Sequence, residues 1–363
     1  MKISKKTVII VVLILLIGAF VVVPLVKNSS SPINENTENQ DLAKFTFVDN
    51  LAGTIGKTLP LNFSVTNKDI LKVELYFNDS IIETWKNPTG NLKFDLNTNF
   101  YGLGTYEITL KSTFKSNDTY SDVRLLRILS DLTPEQLKAK IVQSFPHNQL
   151  HFTQGLEFSE GKLYEGTGDP NSSGATKLMQ VNLENGIVNK EIGLNGSYFG
   201  EGITILNNKI FQLTYKEQKC FVYDKNSLQV EKDFAYSGEG WGLCNNGKQL
   251  IMSNGTEYIT FRNPETFQIE KTIQVYDQVG PRVKINELEY IDGKIYANIW
   301  MLDLIIVIDP ANGKVLKEID CAELSLKGKG NGDVLNGIAF NSITKKLYAT
   351  GKYWPQLFEI TYE

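Results

Sequence analysis

The sequence predicts an all-β protein: a five-bladed β-propeller preceded by an immunoglobulin-like β-sandwich and an N-terminal transmembrane helix. Three observations carry this reading. An uncharged apolar run opens the chain. Short alternating segments, separated by turn residues, follow it. From about residue 141 a unit of strands and tight turns repeats five times.

The bulk properties set limits. The chain has 363 residues, 42% hydrophobic and 21% charged, enough for two or three domains. A net charge of −4 leaves no broad basic footprint, so nucleic acid is not an expected partner. Three widely spaced cysteines, Cys220, Cys244 and Cys321, form neither a disulfide framework nor a metal knuckle and read as buried or free thiols. Only two histidines occur, His147 and His151, which argues against a His-rich zinc site while leaving carboxylate-rich sites open.

Residues 1–27 read as the membrane segment. Three lysines in MKISKK precede VIIVVLILLIGAFVVVPLV, which runs uncharged from Val8 to Val26. About 19 apolar residues in a helix span about 28 Å, close to a bilayer core. Lysines before the span place the N-terminus in the cytoplasm and the remainder outside. The stretch is long for a cleaved signal peptide, and no A-x-A site follows it, so an uncleaved anchor is the expectation and cleavage the alternative.

Residues 28–42 are polar and read as a flexible linker. Residues 43–130 hold seven short alternating runs, FTFV, LPLNFSV, LKVELYF, SIIETW, LKFDL, TYEITL and VRLLRIL, with Gly, Asn and Asp turns between them. That density of strands predicts the immunoglobulin-like sandwich. DLTPEQLKAK, residues 131–140, reads as a linker helix with Pro134 in its first turn.

Residues 141–363 carry the repeat. GLEFSEGKLYEGTG, GITILNNKIFQLTY, WGLCNNGKQLIMSNG, LEYIDGKIYANIW and GIAFNSITKKLYATGKYW open the five units, each followed by further strand segments. Their starts, Gly155, Gly202, Gly242, Leu288 and Gly337, lie about 40–50 residues apart, the period of a four-stranded propeller blade. The fifth unit stops after its third strand, and AKIVQSF, upstream of the first unit, is placed to supply the missing outer strand. Such closure removes exposed sheet edges.

In a propeller the first strand of each blade lines the axis, so residues at its start gather at one mouth of the channel. Those positions hold His151, Phe152, Thr153 and Gln154; Phe199 and Glu201; Glu239 and Trp241; Asn286, Glu287 and Glu289; and Asn336. The ends of the second strands add Glu165, Tyr215, Asn254, Trp300 and Lys352. Any one of these residues has a purely structural reading, since glycines and aromatics at blade starts serve packing and axial acids cap backbone amides. The set, a ring of aromatics around a few polar groups, points to a binding or catalytic site.

At these residues the chain resembles the plant-type glutaminyl cyclotransferases, five-bladed propeller enzymes that also occur in bacteria. The resemblance rests on FTQGLEF, LYEGTG, YFGEGIT, QLTYKE, GEGWGL, NELEYIDGKIYANIW, LNGIAF and TGKYWP, in that order. It spans residues 145–360 and leaves the first 140 without a functional reading. It implies conversion of an N-terminal glutamine to pyroglutamate with release of ammonia, without metal or other cofactor. By position, Glu201 matches the proposed general acid/base. Asn286 and Lys352 match further catalytic positions, and Phe152, Gln154, Phe199, Trp241 and Trp300 match residues around the substrate. Tyr215 stands where the family often has Trp, which leaves an aromatic wall with a smaller face.

The chemistry suits these residue types. The attacking α-amine must be neutral, and its ordinary pKa is near 8. Amide nitrogen leaves poorly until protonated, and one carboxyl can both receive the amine proton and deliver it to the departing nitrogen. Burial against aromatics raises the pKa of such a carboxyl. The resemblance together with the N-terminal span implies a monomeric, membrane-anchored enzyme of the bacterial cell envelope, its catalytic domain periplasmic or extracellular, acting on peptides or proteins that begin with Gln. Two other readings stay open: a non-catalytic envelope binding or adhesion propeller, and a propeller hydrolase with an axial metal held by groups such as Glu201, Asn286 and Glu287.

Overall fold

A computed structural model describes residues 42–47 and 51–363, and the apolar run of residues 8–26 lies outside them. Among the described residues no helix is long and apolar enough to cross a membrane. Leu42–Glu363 forms one compact unit that contains both β regions.

The first region is two sheets over one core. Strands Ala43–Phe45, Thr58–Val65 and Gly90–Asn97 make a three-stranded sheet. Leu51–Thr54, Thr119–Leu129, Gly104–Phe114, Ile70–Phe77 and Ser80–Lys86 make a five-stranded one. Alternation dictates which side chains face inward. Leu61, Phe63 and Val65 meet Val73, Leu75, Ile108, Leu110, Leu126 and Ile128 in a continuous buried cluster. The strand Leu51–Thr54, which pairs in parallel with Leu126–Leu129, is additional to the seven expected. Its LAGT carries neither alternation nor β-branched enrichment, so only its partner makes it a strand.

The second region holds five four-stranded units, each an antiparallel meander from an inner to an outer strand. The inner strands are Thr153–Ser159, Gly200–Leu206, Leu243–Asn245, Ile285–Ile291 and Leu335–Asn341. Each packs against the next, and the last packs against the first, so the blades close a ring. The ring needs close approach at the axis. At Gly202 a Cβ would lie 2.5 Å from the Leu243 backbone nitrogen, and at Gly242 it would collide with the Asn286 carbonyl oxygen.

Residues 131–140 are not a helix. Glu135–Pro146 is one long strand. Its first part pairs in parallel with Lys317–Asp320 of blade four, and its second part pairs antiparallel with Gln356–Tyr362 of blade five. EQLKAK has good local helix propensity, but a strand there supplies ladder partners to two blades at once, and tertiary pairing overrides a weak local preference. The outer strand of blade five is thus contributed from upstream, with Ile141–Phe145 inside it, as the repeat pattern requires. One short helix not anticipated from the sequence, Ala322–Gly328, follows the outer strand of blade four. Cys220, Cys244 and Cys321 are free and buried.

The two regions touch directly. Gln274 Oε1 accepts from Thr105 N at 3.2 Å, and the Thr105 hydroxyl lies 2.7 Å from the Tyr276 hydroxyl. Ser130 N donates to Asp277 O at 3.0 Å, and Lys314 pairs with Asp131 at 2.6 Å. The sandwich is seated on the segment that leaves the outer strand of blade three.

Candidate active site at the channel mouth

The backbone at the mouth departs from regular pairing in four of the five blades. Register shifts fall between Thr153 and Gly155, Gly200 and Ile203, Ile285 and Leu288, and Leu335 and Ile338. The residue that follows the first of each pair is polar: Gln154, Glu201, Asn286 and Asn336. An extra residue in one strand re-aims its side chain out of the ladder, which is how a strand that must feed a core can present a carboxyl or an amide. The second strands end at Thr214, Ser253, Ile299 and Gly351, so Tyr215, Asn254, Trp300 and Lys352 are the first residues beyond them.

Three of the four polar groups are linked. Asn336 Nδ2 donates to Thr153 O at 2.9 Å and to Gln154 Oε1 at 3.3 Å. Gln154 Nε2 in turn donates to Glu201 Oε1 at 3.1 Å. Asn336 thereby fixes which way the Gln154 amide points. Asn286 is buried, and its Oδ1 has no hydrogen-bond donor among the described residues.

Glu201 is only 5% exposed. Burial pushes its carboxyl well above the usual carboxylate range; the Lys352 charge opposes this, and the charges of Glu239 and Glu217 reinforce it. Lys352, 4% exposed, is lowered by burial, with Glu201 and Asp333 acting the other way. Its ammonium lies 4.6 Å from the centroid of the Phe152 ring. Burial drives this acid and base toward neutrality, and each one's charge opposes that shift in the other.

Aromatic rings form a continuous arc around them. Tyr353 meets Phe152 at a centroid distance of 5.1 Å, Phe152 meets Phe199 at 6.0 Å, and Phe199 meets Tyr215 at 5.9 Å. Tyr215 meets Trp241 at 6.4 Å, and Trp241 meets Trp300 edge-on at 5.6 Å. Trp300 is the outermost, 37% exposed. Acids brace the arc: Glu239 Oε2 accepts from Trp241 Nε1 at 3.0 Å, and Glu217 Oε2 accepts from Phe199 N at 3.4 Å. All nine site residues expected from the sequence therefore lie at one end of the ring, on blade starts or just past second strands.

Sequence reasoning passed over several neighbours. Tyr353 completes the arc with a positive φ of 62°, and Glu217 and Asp333 set the local charge. Asn336, placed at the mouth by the repeat, proves to orient Gln154. Trp354, two residues beyond Lys352, is fully buried, with its Nε1 donating to Asp333 O at 2.8 Å.

The axial acids below Glu201 have backbone duties. Glu287 accepts from Leu156 N at 3.3 Å and Ile338 N at 2.8 Å, and Glu289 accepts from Phe340 N at 3.0 Å. Both Glu157 oxygens lie 3.1 Å from Ile205 N. Adjacent inner strands do not pair as sheets, so these carboxyls satisfy amides that would otherwise be unpaired. Burial pushes Glu157 up to about 8 and raises Glu287 and Glu289 well above their ordinary values. The two histidines, well separated from any zinc motif in sequence terms, converge with Glu165 into a cluster whose donor atoms lie within 4.8 Å of one another.

The fold and mouth together define a propeller with a buried carboxyl of raised pKa inside an aromatic cup. Residues 114–362 match the family model for glutamine cyclotransferase, and the chain belongs to that family. It is 37% identical over 238 residues, 63% of this chain and 73% of the relative, to an Arabidopsis thaliana protein named glutaminyl-peptide cyclotransferase. The crystal structure of Myxococcus xanthus glutaminyl cyclase superposes with a TM-score of 0.60 at 36% identity, covering 64% of this chain and 99% of that one.

Proposed function

We propose that the protein is a glutaminyl-peptide cyclotransferase that converts N-terminal Gln of peptides and proteins to pyroglutamate with release of ammonia, with Glu201 as general acid/base and no metal in the reaction. Family membership supports the reaction class. The observation that carries the mechanism is Glu201 itself: a carboxyl re-aimed by a bulge, buried, and raised in pKa inside an aromatic cup.

A carboxyl raised toward neutrality accepts and returns a proton with little driving force lost in either direction. It takes the proton of the α-amine as the nitrogen attacks the γ-carbonyl carbon, and gives it to the departing amide nitrogen, so the carboxylate is regenerated and ammonia leaves. Lys352 supplies positive charge to the oxyanion of the tetrahedral intermediate, an effect worth about 3 kcal/mol for one donor. Asn286 Oδ1, an acceptor with no protein donor among the described residues, suits the amine or amide N–H of the substrate. Gln154, held by Asn336, fixes the Glu201 carboxyl. The arc of Phe152, Phe199, Tyr215, Trp241 and Trp300 holds the folded-back glutamine and excludes water, which favours ring closure over hydrolysis.

The same reading takes the first region as an immunoglobulin-like sandwich and residues 1–27 as a membrane anchor, giving a monomeric enzyme of the bacterial cell envelope with its catalytic domain outside the cytoplasm. The assay is ammonia release from a Gln-initiated dipeptide, with and without chelator, beside Glu201→Gln. Chelator-resistant release that the variant loses supports the reading. Release abolished by chelator would favour the axial-metal alternative, and no release from folded protein the binding-module alternative.

A further inference from the structure

We propose that Glu165, bridged to His147 and His151, is a positioning residue for catalysis: this buried cluster clasps the Lys352-bearing turn of blade five to blade one and so sets the ammonium where it acts on Glu201. The proposal rests on the assignment of Glu201 as acid/base.

Glu165 lies in the second strand of blade one, Lys162–Thr167, and is almost inaccessible. Its Oε1 accepts from Thr153 Oγ1 at 2.7 Å and faces His147 Nε2 at 3.1 Å, while Oε2 faces His151 Nδ1 at 2.8 Å. Both histidines belong to the segment between the closing strand, which ends at Pro146, and the inner strand of blade one, which begins at Thr153. That segment grips the 352–355 turn at three points. His147 N donates to Pro355 O at 3.0 Å, His147 Nδ1 donates to Trp354 O at 2.6 Å, and Tyr353 N donates to His151 O at 2.8 Å.

The contacts fix the protons. A carbonyl oxygen only accepts, so His147 Nδ1 carries hydrogen. Its Nε2 faces an ionised carboxylate, which also only accepts, so the ring is an imidazolium. Burial alone would lower the His147 pKa, but the Glu165 charge and the Trp354 carbonyl outweigh it and raise it. Burial would likewise raise Glu165, and the two histidines instead hold it well below the usual carboxylate range. Glu165 and His147 keep each other charged.

Lys352 leads the clasped turn. Its N donates to Val334 O at 2.9 Å and its O accepts from Asp333 N at 2.7 Å, both within blade five. The cluster and the Phe152 ring, packed against Tyr353 and under the Lys352 ammonium, tie it to blade one, where Gln154 orients Glu201. A displacement of about 1 Å in such a group costs on the order of 100-fold in rate.

The test is the pH dependence of kcat and KM for the full chain on a Gln-initiated dipeptide, in wild type, Glu165→Gln and Thr153→Val. The charges acting on Glu201 are Lys352, which lowers its pKa, and Glu239 and Glu217, which raise it; those acting on Lys352 are Glu201 and Asp333. If the clasp holds Lys352, Glu165→Gln weakens the lysine's effect and the acid limb of the kcat profile moves up by about one pH unit. The plateau kcat falls about tenfold or more with a smaller change in KM. Thr153→Val removes only one hydroxyl bond to Glu165, keeps both imidazole contacts, and moves the limb less than Glu165→Gln does. A Glu165→Gln enzyme with the wild-type limb and kcat but a lower Tm would overturn the proposal and leave the cluster a packing feature. Should that variant not fold, His147→Asn is read on the same limb, and an unmoved limb overturns the proposal equally. One tightly bound metal per purified chain, lost in Glu165→Gln, would also overturn it, by replacing the hydrogen bonds with coordination. The underlying assignment fails separately, through an active Glu201→Gln.

Discussion

Glu201 is a carboxyl placed where its anion is least comfortable, and that placement has two measurable consequences. Its pKa is raised by burial, so ionising it costs folding stability at any pH above its unfolded value near 4.5. Glu201→Gln removes that cost: Tm at pH 7 rises by ~2–4 °C for each kcal/mol relieved, and the gain shrinks as pH falls toward 4.5 and is absent below it. The same variant lowers kcat by ~10²–10⁴-fold. His147 has the opposite signature. Its folded pKa is raised above 6.5, so its contribution is fully present below pH 6.5 and is lost as pH rises through the folded value. Thermal melts of wild type and His147→Asn between pH 6 and 9 check this, with the gap between them closing at the alkaline end. Tyr215→Trp enlarges the face beside Trp241 and is expected to lower KM ~2–5-fold with kcat little changed, because a wall contact binds substrate and transition state alike. The places of the nine expected residues at one end of the ring were legible because blade starts and second-strand ends recur with a fixed period; the choice of these nine came from the family resemblance. Tyr353 and Glu217 were not legible: one takes its place through a positive φ, the other through a bond to the Phe199 amide, and neither leaves a mark on residue spacing.

At the scale of elements, the closing strand Glu135–Pro146 matters most. It pairs with both neighbouring blades, and its Ala139 and Phe145 are buried. Phe145→Ala is expected to cost about 3–5 kcal/mol, read as a lower midpoint in urea. Kinetic constants of the remaining folded protein should be unchanged, since Phe145 packs on Tyr348 and not on the mouth. The second half of this strand was readable as the missing outer strand of the fifth unit. The first half was not, because EQLKAK is locally a helix former and its strand state depends on Lys317–Asp320, distant in the chain. The mouth bulges were equally hidden: FGEGIT and INELEY read as ordinary strand starts, and the register shift exists only relative to the partner strand.

For the whole molecule, the described sandwich and propeller meet through specific bonds as well as through the chain connection. Gln274 and Tyr276 bind Thr105, and Lys314 binds Asp131. A sandwich carried only as a spacer would not need these contacts. Tyr276→Phe removes one hydroxyl bond and is expected to cost ~1 kcal/mol. A single unfolding transition that moves as one for probes in both regions is the expected readout, with separate transitions the contrary one. The ring itself was legible from its period and from AKIVQSF, whereas the seating of the sandwich rests on scattered polar side chains that no pattern announces.

The central claim is that one buried carboxyl moves the proton in ring closure. The most direct measurement is the rate of pyroglutamate formation from a Gln-initiated dipeptide by Glu201→Gln, beside wild type and with Tm as the control for folding. The account predicts a variant at least as stable as wild type at pH 7 whose kcat is lower by at least ~100-fold. A stable variant that forms pyroglutamate at the wild-type rate would contradict it.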